Sequence, residues 1–169
     1  MRCRGFSLIE LMVTIAVLAI LLSIGLPSFR SSLQSNRLAT ASNELIASLN
    51  LARSEAIRNT RGGAICPSTS GTECDGADWG DGWIIWADEN EDGAFDSGEE
   101  ILRVKQASNR LTFGGNSAPI AFDSRGRRRG SVDIQITVKP SDCSPGRDLQ
   151  RRLNINAVGQ IAMSRENCG

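Results

Sequence analysis

The sequence predicts an α+β chain: one long N-terminal helix followed by a head of short antiparallel strands. Three observations carry this reading. An apolar run near the N-terminus passes into a stretch of helical period. The pattern then changes at Gly62-Gly63 to short β-like runs. Turn dipeptides recur between those runs, which is how antiparallel strands are punctuated.

In chain order, Arg2 and Arg4 precede an apolar run from Leu11 to Leu26, interrupted only by Thr14, Ser23 and Gly25. With Phe6, Leu8 and Ile9 the segment reaches the roughly 20 residues a helix needs to cross a bilayer. Positive charge ahead of the run predicts a cytoplasmic N-terminus with the remainder facing outward. Ser23-Ile24-Gly25 also offers the small-x-small cleavage site of a secretory signal. Glu10 argues against that alternative, because a carboxylate inside an apolar span costs about 3 kcal/mol and marks a function. Pro27 removes one helical hydrogen bond and permits a kink. Beyond it, Leu33, Leu38, Ala41, Leu45, Leu49, Ala52 and Ala56 recur at intervals of three to five, with Arg37, Asn43, Asn50, Arg53 and Arg58 between them. The predicted helix covers roughly 7–60 and is stopped by Gly62-Gly63. Strands are predicted at 64–66, 82–87, 100–105, 110–113, 119–123, 131–138, 151–157 and 159–163. Trp79, Trp83 and Trp86 are spaced by four and three; on a strand Trp83 and Trp86 face opposite sides, as packing or interface residues.

The formal net charge is zero, yet the charges are strongly partitioned. Residues 73–100 hold eleven acids and no base, whereas residues 101–169 hold twelve bases and five acids. No single acidic or basic partner therefore suits the whole molecule. There is no histidine, which excludes Ser-His-Asp and Cys-His catalysis and the usual His-bearing zinc sites. No phosphate-cradling glycine loop occurs. No acid, base and nucleophile stand together, so the chain reads as a structural protein with no required cofactor and not as an enzyme.

The run Arg4-Gly5-Phe6-Ser7-Leu8-Ile9-Glu10 resembles the class III leader of type IV pilins and type II secretion pseudopilins. That resemblance implies cleavage after Gly5 by a prepilin peptidase, N-methylation of Phe6, and pairing of Glu10 with the N-terminal amine of a neighbouring subunit. Physics supports such a pair, since two opposite charges in an apolar bundle relieve each other's desolvation in one register only. Further along, Leu45-x-x-x-Leu49-x-x-Ala52-Arg53-Ser54-Glu55-Ala56, Ile65-Cys66-Pro67-Ser68, Trp79 to Trp86 and Phe122-Asp123-x-x-Gly126 resemble the GspH/FimT/FimU branch of minor pilins and pseudopilins.

The resemblance implies a pilin-like fold: a leader at 1–5, a transmembrane and filament-core helix at 6–29, its amphipathic continuation at 30–61, and a two-sheet periplasmic head at 62–169. The implied function is that of a minor pilin entering, or initiating, a type IV pilus. Two alternatives stand beside it: a minor pseudopilin of a type II secretion system, and a DNA-capturing pilin of natural transformation. Implied partners are other pilins or pseudopilins through the N-terminal helix, the prepilin peptidase, the inner-membrane assembly platform and lipid, and, for the third reading, DNA. The expected location is the inner membrane, single-pass with the head periplasmic, and then the pilus or pseudopilus.

Cys3 belongs to the leader, leaving Cys66, Cys74, Cys143 and Cys168 in a head expected to lie in an oxidising compartment. An even count reads as two bridges, for which three connectivities are possible. Cys66–Cys74 closing a small polar loop and Cys143–Cys168 pinning the C-terminus are the favoured pair.

Residues 88–99 match D-x-[DN]-x-[DN]-G-x5-E. As a calcium loop, Asp88, Asn90, Asp92, Asp96 and Glu99 would supply side-chain oxygens and Ala94 its carbonyl. The flanks read as strands instead of helices, so a solvated hairpin turn is the alternative. Arg125, Arg127, Arg128 and Arg129 crowd another turn, and Arg151 and Arg152 follow. Arginine outnumbers lysine 17 to 2, which suits bidentate phosphate contacts and hence DNA. Gly126-Arg127-Arg128-Arg129 also fits the G-R-x-R associated with FimT-type DNA-binding pilins. The alternatives are a solvated turn, or docking on the acidic 73–100 face of a neighbouring subunit.

Overall fold

The computed structural model describes residues 7–169. One helix spans Leu8–Asn59. Eight strands follow: β1 Gly62–Pro67, β2 Gly82–Trp86, β3 Ile101–Gln106, β4 Leu111–Gly115, β5 Ile120–Asp123, β6 Ile134–Pro140, β7 Gln150–Ile155 and β8 Ile161–Glu166. Each expected strand is present, with ends moved by a few residues. They form two antiparallel four-stranded sheets, ordered β3-β2-β1-β5 and β4-β6-β7-β8. The chain divides into two units, Met1–Arg37 and Leu38–Gly169, and the second holds both sheets.

Within that second unit the helix contributes Leu38, Ala41, Leu45, Leu49, Ala52 and Ala56 to the core. Their spacing of three and four keeps them on one face. Leu33, which the same periodicity includes, is exposed. The first sheet adds Ile65, Trp83, Ile85, Ile120 and Phe122, and the second adds Phe113, Ile136, Val138, Leu153 and Ile155. A single core thus joins one helix face to both sheets. Each fully buried Leu or Ile contributes about 2 kcal/mol relative to exposure. Strands β1 and β2 are buried on both faces, so they read as continuous apolar runs, while β6 and β7 alternate with period two. Trp83 also donates from Nε1 to the buried Ser48 Oγ at 2.9 Å, a polar contact between helix and sheet.

The helix ends differently from the expectation. Thr60 takes the left-handed conformation (φ 58°) that terminates it. Asn59 reinforces the turn, accepting from the Arg61 N–H at 2.8 Å and donating to the Gly62 carbonyl at 2.8 Å. Gly62 and Gly63 are already part of β1. Gly63 is required there for closeness: a Cβ on it would lie 2.2 Å from the Ala52 carbonyl oxygen and 2.9 Å from the Ala56 nitrogen. Gly63 therefore lets β1 lie directly on the helix backbone.

Two substitutions test this packing by thermal unfolding of the full chain in detergent. Gly63→Ala is expected to destabilise the head by about 3 kcal/mol, because strand or helix must shift. Ser48→Ala is expected to cost about 1–2 kcal/mol by leaving the Trp83 N–H unpaired. An unchanged melting temperature for Gly63→Ala would contradict the close approach.

Candidate functional site

Gly5 and Phe6, the expected processing residues, lie outside the described residues. From Leu8 the first unit presents an apolar helix. Leu8, Ile9, Leu11, Met12, Val13, Ile15, Val17, Leu18, Ile20, Leu21, Leu22, Ile24, Leu26 and Phe29 are all exposed. The best 18-residue window has a mean hydropathy of 2.5. Its two hydroxyls are satisfied within the helix: Thr14 donates to the Leu11 carbonyl at 2.8 Å and Ser23 to the Ile20 carbonyl at 2.7 Å. Such pairing is what a hydrocarbon surrounding demands. Glu10 is the first charged residue of the helix and Arg30 the next. Glu10 is exposed, and among the described residues no cation pairs with it. The surface is thus a long apolar stripe with one anionic group near its N-terminal end.

The head carries both favoured disulfides, Cys66–Cys74 and Cys143–Cys168. The first closes a loop that Asp75 holds from within, accepting from the N–H groups of Thr69 at 2.8 Å and Ser70 at 3.2 Å. Those donors at Ser70 and Thr69 hold its carboxyl below the usual range. The second bridge is flanked by backbone bonds from Gly146 N–H to the Cys168 carbonyl (3.1 Å) and from Cys168 N–H to the Arg147 carbonyl (2.9 Å). Together they fasten the C-terminus to the loop before β7.

Most of the acidic segment 88–99 is exposed, while Asp88 is buried and Gly93, Phe95 and Glu99 are half-buried. The segment returns over the outer face of the first sheet, where Phe95 meets Trp86 edge-on with ring centroids 5.5 Å apart. Ala64, Cys66, Ile84, Trp86 and Ala121 form a second apolar cluster there. Trp79 and Trp83 lie in the main core, in edge contact at 6.4 Å, so Trp83 and Trp86 do take opposite sides of the sheet. Asp88 is wholly buried. Burial pushes its carboxyl above the usual range, against the Gly93 amide and the Arg129 guanidinium, with Asp92 adding to the rise.

The arginines do not assemble as one phosphate-facing cluster. Arg128 is buried, and its guanidinium donates to the carbonyls of Arg129 (2.8 Å), Gly130 (3.1 Å) and Val132. Arg129 turns to the acidic loop of its own chain, 3.8 Å from Asp88 and 3.7 Å from Glu91. Arg127 pairs with Asp123 at 3.1 Å. Burial alone would raise the Asp123 carboxyl, but the N–H groups of Arg127 and Arg125 and the Arg127 guanidinium outweigh it, and it sits below the usual range. Arg151 is on the inward face of β7 with Leu153 and Ile155 and is buried. Arg152, on the outer face, forms a two-pronged bond with Glu166 at 2.5 and 2.8 Å. Of the six, only the Arg125 guanidinium has no internal partner among the described residues. The period-two pattern of β7 already separated Arg151 from Arg152; the carbonyl cage around Arg128 left no sequence signal.

Residues 41–159 match the family described as type II transport protein GspH. Residues 1–26 match the prokaryotic N-terminal methylation motif. The pilin-like protein PilA1 of Thermus thermophilus is 30% identical over 138 residues, covering 75% of this chain and 80% of that protein. The crystal structure of the type IV minor pilin FimU of Pseudomonas aeruginosa superposes with a TM-score of 0.58 at 26% identity, covering 76% of this chain and 89% of that one. The minor pseudopilin EpsH from the type 2 secretion system of Vibrio cholerae has a TM-score of 0.51 at 13% identity, covering 78% of this chain and 97% of that one, a likeness of fold alone.

The internal placement of the arginines is measurable by denaturant unfolding. Arg128→Ala is expected to cost about 1–3 kcal/mol, since a buried side chain and its hydrogen bonds to three carbonyls are lost together. Arg125→Ala is expected to stay within about 0.5 kcal/mol of the native chain. Equal, small effects at both positions would mean that Arg128 is a surface group.

Proposed function

The chain belongs to the GspH family of minor pilins and pseudopilins, and from that premise we propose that it is a minor pilin that enters a type IV pilus. Members of this family are structural proteins, not enzymes, and they assemble with other pilins in a pilus or pseudopilus. The apolar N-terminal helix with its methylation motif anchors the chain in a membrane and serves that assembly.

The observation that carries the proposal is the exposed apolar helix with Glu10 as its single early charge. Lipid covers such a surface before assembly, and the equivalent helices of neighbouring subunits cover it afterwards. In our reading a prepilin peptidase cuts after Gly5 and Phe6 is methylated. The N-terminus is cytoplasmic, following Arg2 and Arg4, and the disulfide-bonded head is periplasmic. Glu10 then draws the terminal amine of a neighbouring subunit into register. The pilus is favoured over a secretion pseudopilus by the two relatives of higher identity, a pilin-like protein at 30% and a type IV minor pilin at 26%. The type II transport description of the family supplies the second reading. A deletion strain separates the two: loss of surface pili supports the first, loss of an exported enzyme with intact pili the second.

Glu10→Val tests the assembly role. Membrane insertion is expected to be retained, because the span only becomes more apolar. The amount recovered in sheared filaments is expected to fall severalfold on immunoblots. Normal recovery would refute the pairing role of Glu10.

A further inference from the structure

We propose that the loop Asp88–Glu99 binds one calcium ion, through the side-chain oxygens of Asp88, Asn90, Asp92, Asp96 and Glu99 and the backbone carbonyl of Ala94. The sequence pattern alone could not choose between this site and an ordinary acidic hairpin. The decisive observation is Asp88. Its side chain is wholly buried. Oδ2 accepts from the Gly93 N–H at 3.1 Å, so the carboxylate is turned into the loop. Oδ1 is buried as well and has no hydrogen-bond partner. A buried carboxylate oxygen without a donor is costly. The nearest cation, Arg129 Nη2, lies 3.8 Å from Oδ2, beyond hydrogen-bond range. A hard cation inside the loop would satisfy Oδ1 directly.

The rest of the loop presents the matching oxygens. Asn90 Nδ2 bridges Asp92 Oδ2 at 3.0 Å and Asp96 Oδ2 at 2.9 Å. Its amide hydrogens are therefore the positive ends that now hold two carboxylates together. Rotating that amide turns Oδ1 toward them, in exchange for its contact with the Asp92 N–H at 3.1 Å. The result is a set of oxygens that only a cation can bind. Glu99 is already positioned, one oxygen accepting from the Glu89 N–H and the other from the Asp96 N–H, both at 3.0 Å. Each oxygen keeps a second lone pair for a metal. With Glu99 bidentate, the six residues supply seven oxygens, the number calcium prefers and magnesium does not.

The strand flanks do not oppose this reading, because every ligand comes from within the loop. The Ala87 N–H donates to the Glu100 carbonyl at 3.0 Å, tying the ends together as two helices would elsewhere. As arranged, no three acidic or cysteine side chains among the described residues stand close enough to share a metal. Binding therefore draws the carboxylates inward. Gly93, at φ 78°, makes the sharp turn this requires. Phe95, seated on Trp86, would carry that closure to the apolar cluster beneath.

The test uses the full chain in nonionic detergent, stripped of metal by a chelator. Calorimetric titration with CaCl2 is expected to give one site per chain, with a Kd of about 10⁻⁵–10⁻³ M. Terbium emission excited through tryptophan is expected to rise on adding Tb³⁺ and to fall on adding Ca²⁺. Asp88→Asn and Glu99→Gln are each expected to weaken binding at least about tenfold. If Asp88→Asn does not fold, Glu99→Gln and Asp92→Asn decide, with circular dichroism confirming their fold. A folded native chain that shows neither saturable calcium heat nor sensitised terbium emission would overturn the proposal. So would unchanged affinity in both Glu99→Gln and Asp92→Asn. Either result would leave Asp88 as the internal partner of Arg129.

Discussion

The head depends on one face of a helix being shared by two sheets. Leu38, Leu45, Leu49, Ala52 and Ala56 meet side chains from both four-stranded sheets in a single core. Small residues on that face are as important as large ones. Ala52 and Ala56 leave room for the backbone of β1, and Gly63 completes the approach. Close packing of this kind removes many small contacts at once when it is disturbed. The helix face is thus a support that the two sheets share, and Trp79 adds a direct tie by donating to the Asn116 carbonyl beyond β4 at 2.6 Å.

The first unit shows the opposite condition. Its large aliphatic side chains and Phe29 are exposed from Leu8 onward. A surface of that kind needs a cover outside the chain, first lipid and then neighbouring subunits. The family's role in filament assembly follows from this directly. Its internally bonded hydroxyls and its single early carboxylate restrict which covers are compatible.

Charge in the head is largely spent within the head. The acidic 73–100 segment and the basic C-terminal third meet at Arg129 with Asp88 and Glu91. Arg128 serves carbonyls, and Arg152 serves Glu166. Long arginine side chains here close turns and sheet edges, using planar guanidiniums with several donors each. Asp88 nevertheless remains a buried carboxylate whose second oxygen has no donor. That single orphaned atom separates the acidic loop from an ordinary turn.

The sequence by itself determined the class of fold, the eight strands, the helical stripe and the membrane-length apolar segment. These are periodic signals, and period is local. It also determined the family, through the leader pattern and the tryptophan-rich strand, while among three possible cysteine connectivities it only favoured the one that the structure carries. Only the tertiary structure decided which charges are free. Arg128 and Arg125 are equivalent in sequence, yet one is caged by three carbonyls and the other is exposed. It likewise decided that Gly63 is there for contact and not for stopping the helix, since the Ala52 carbonyl it faces belongs to another element. Partners of this sort lie far apart along the chain, and no local pattern encodes the distance between them.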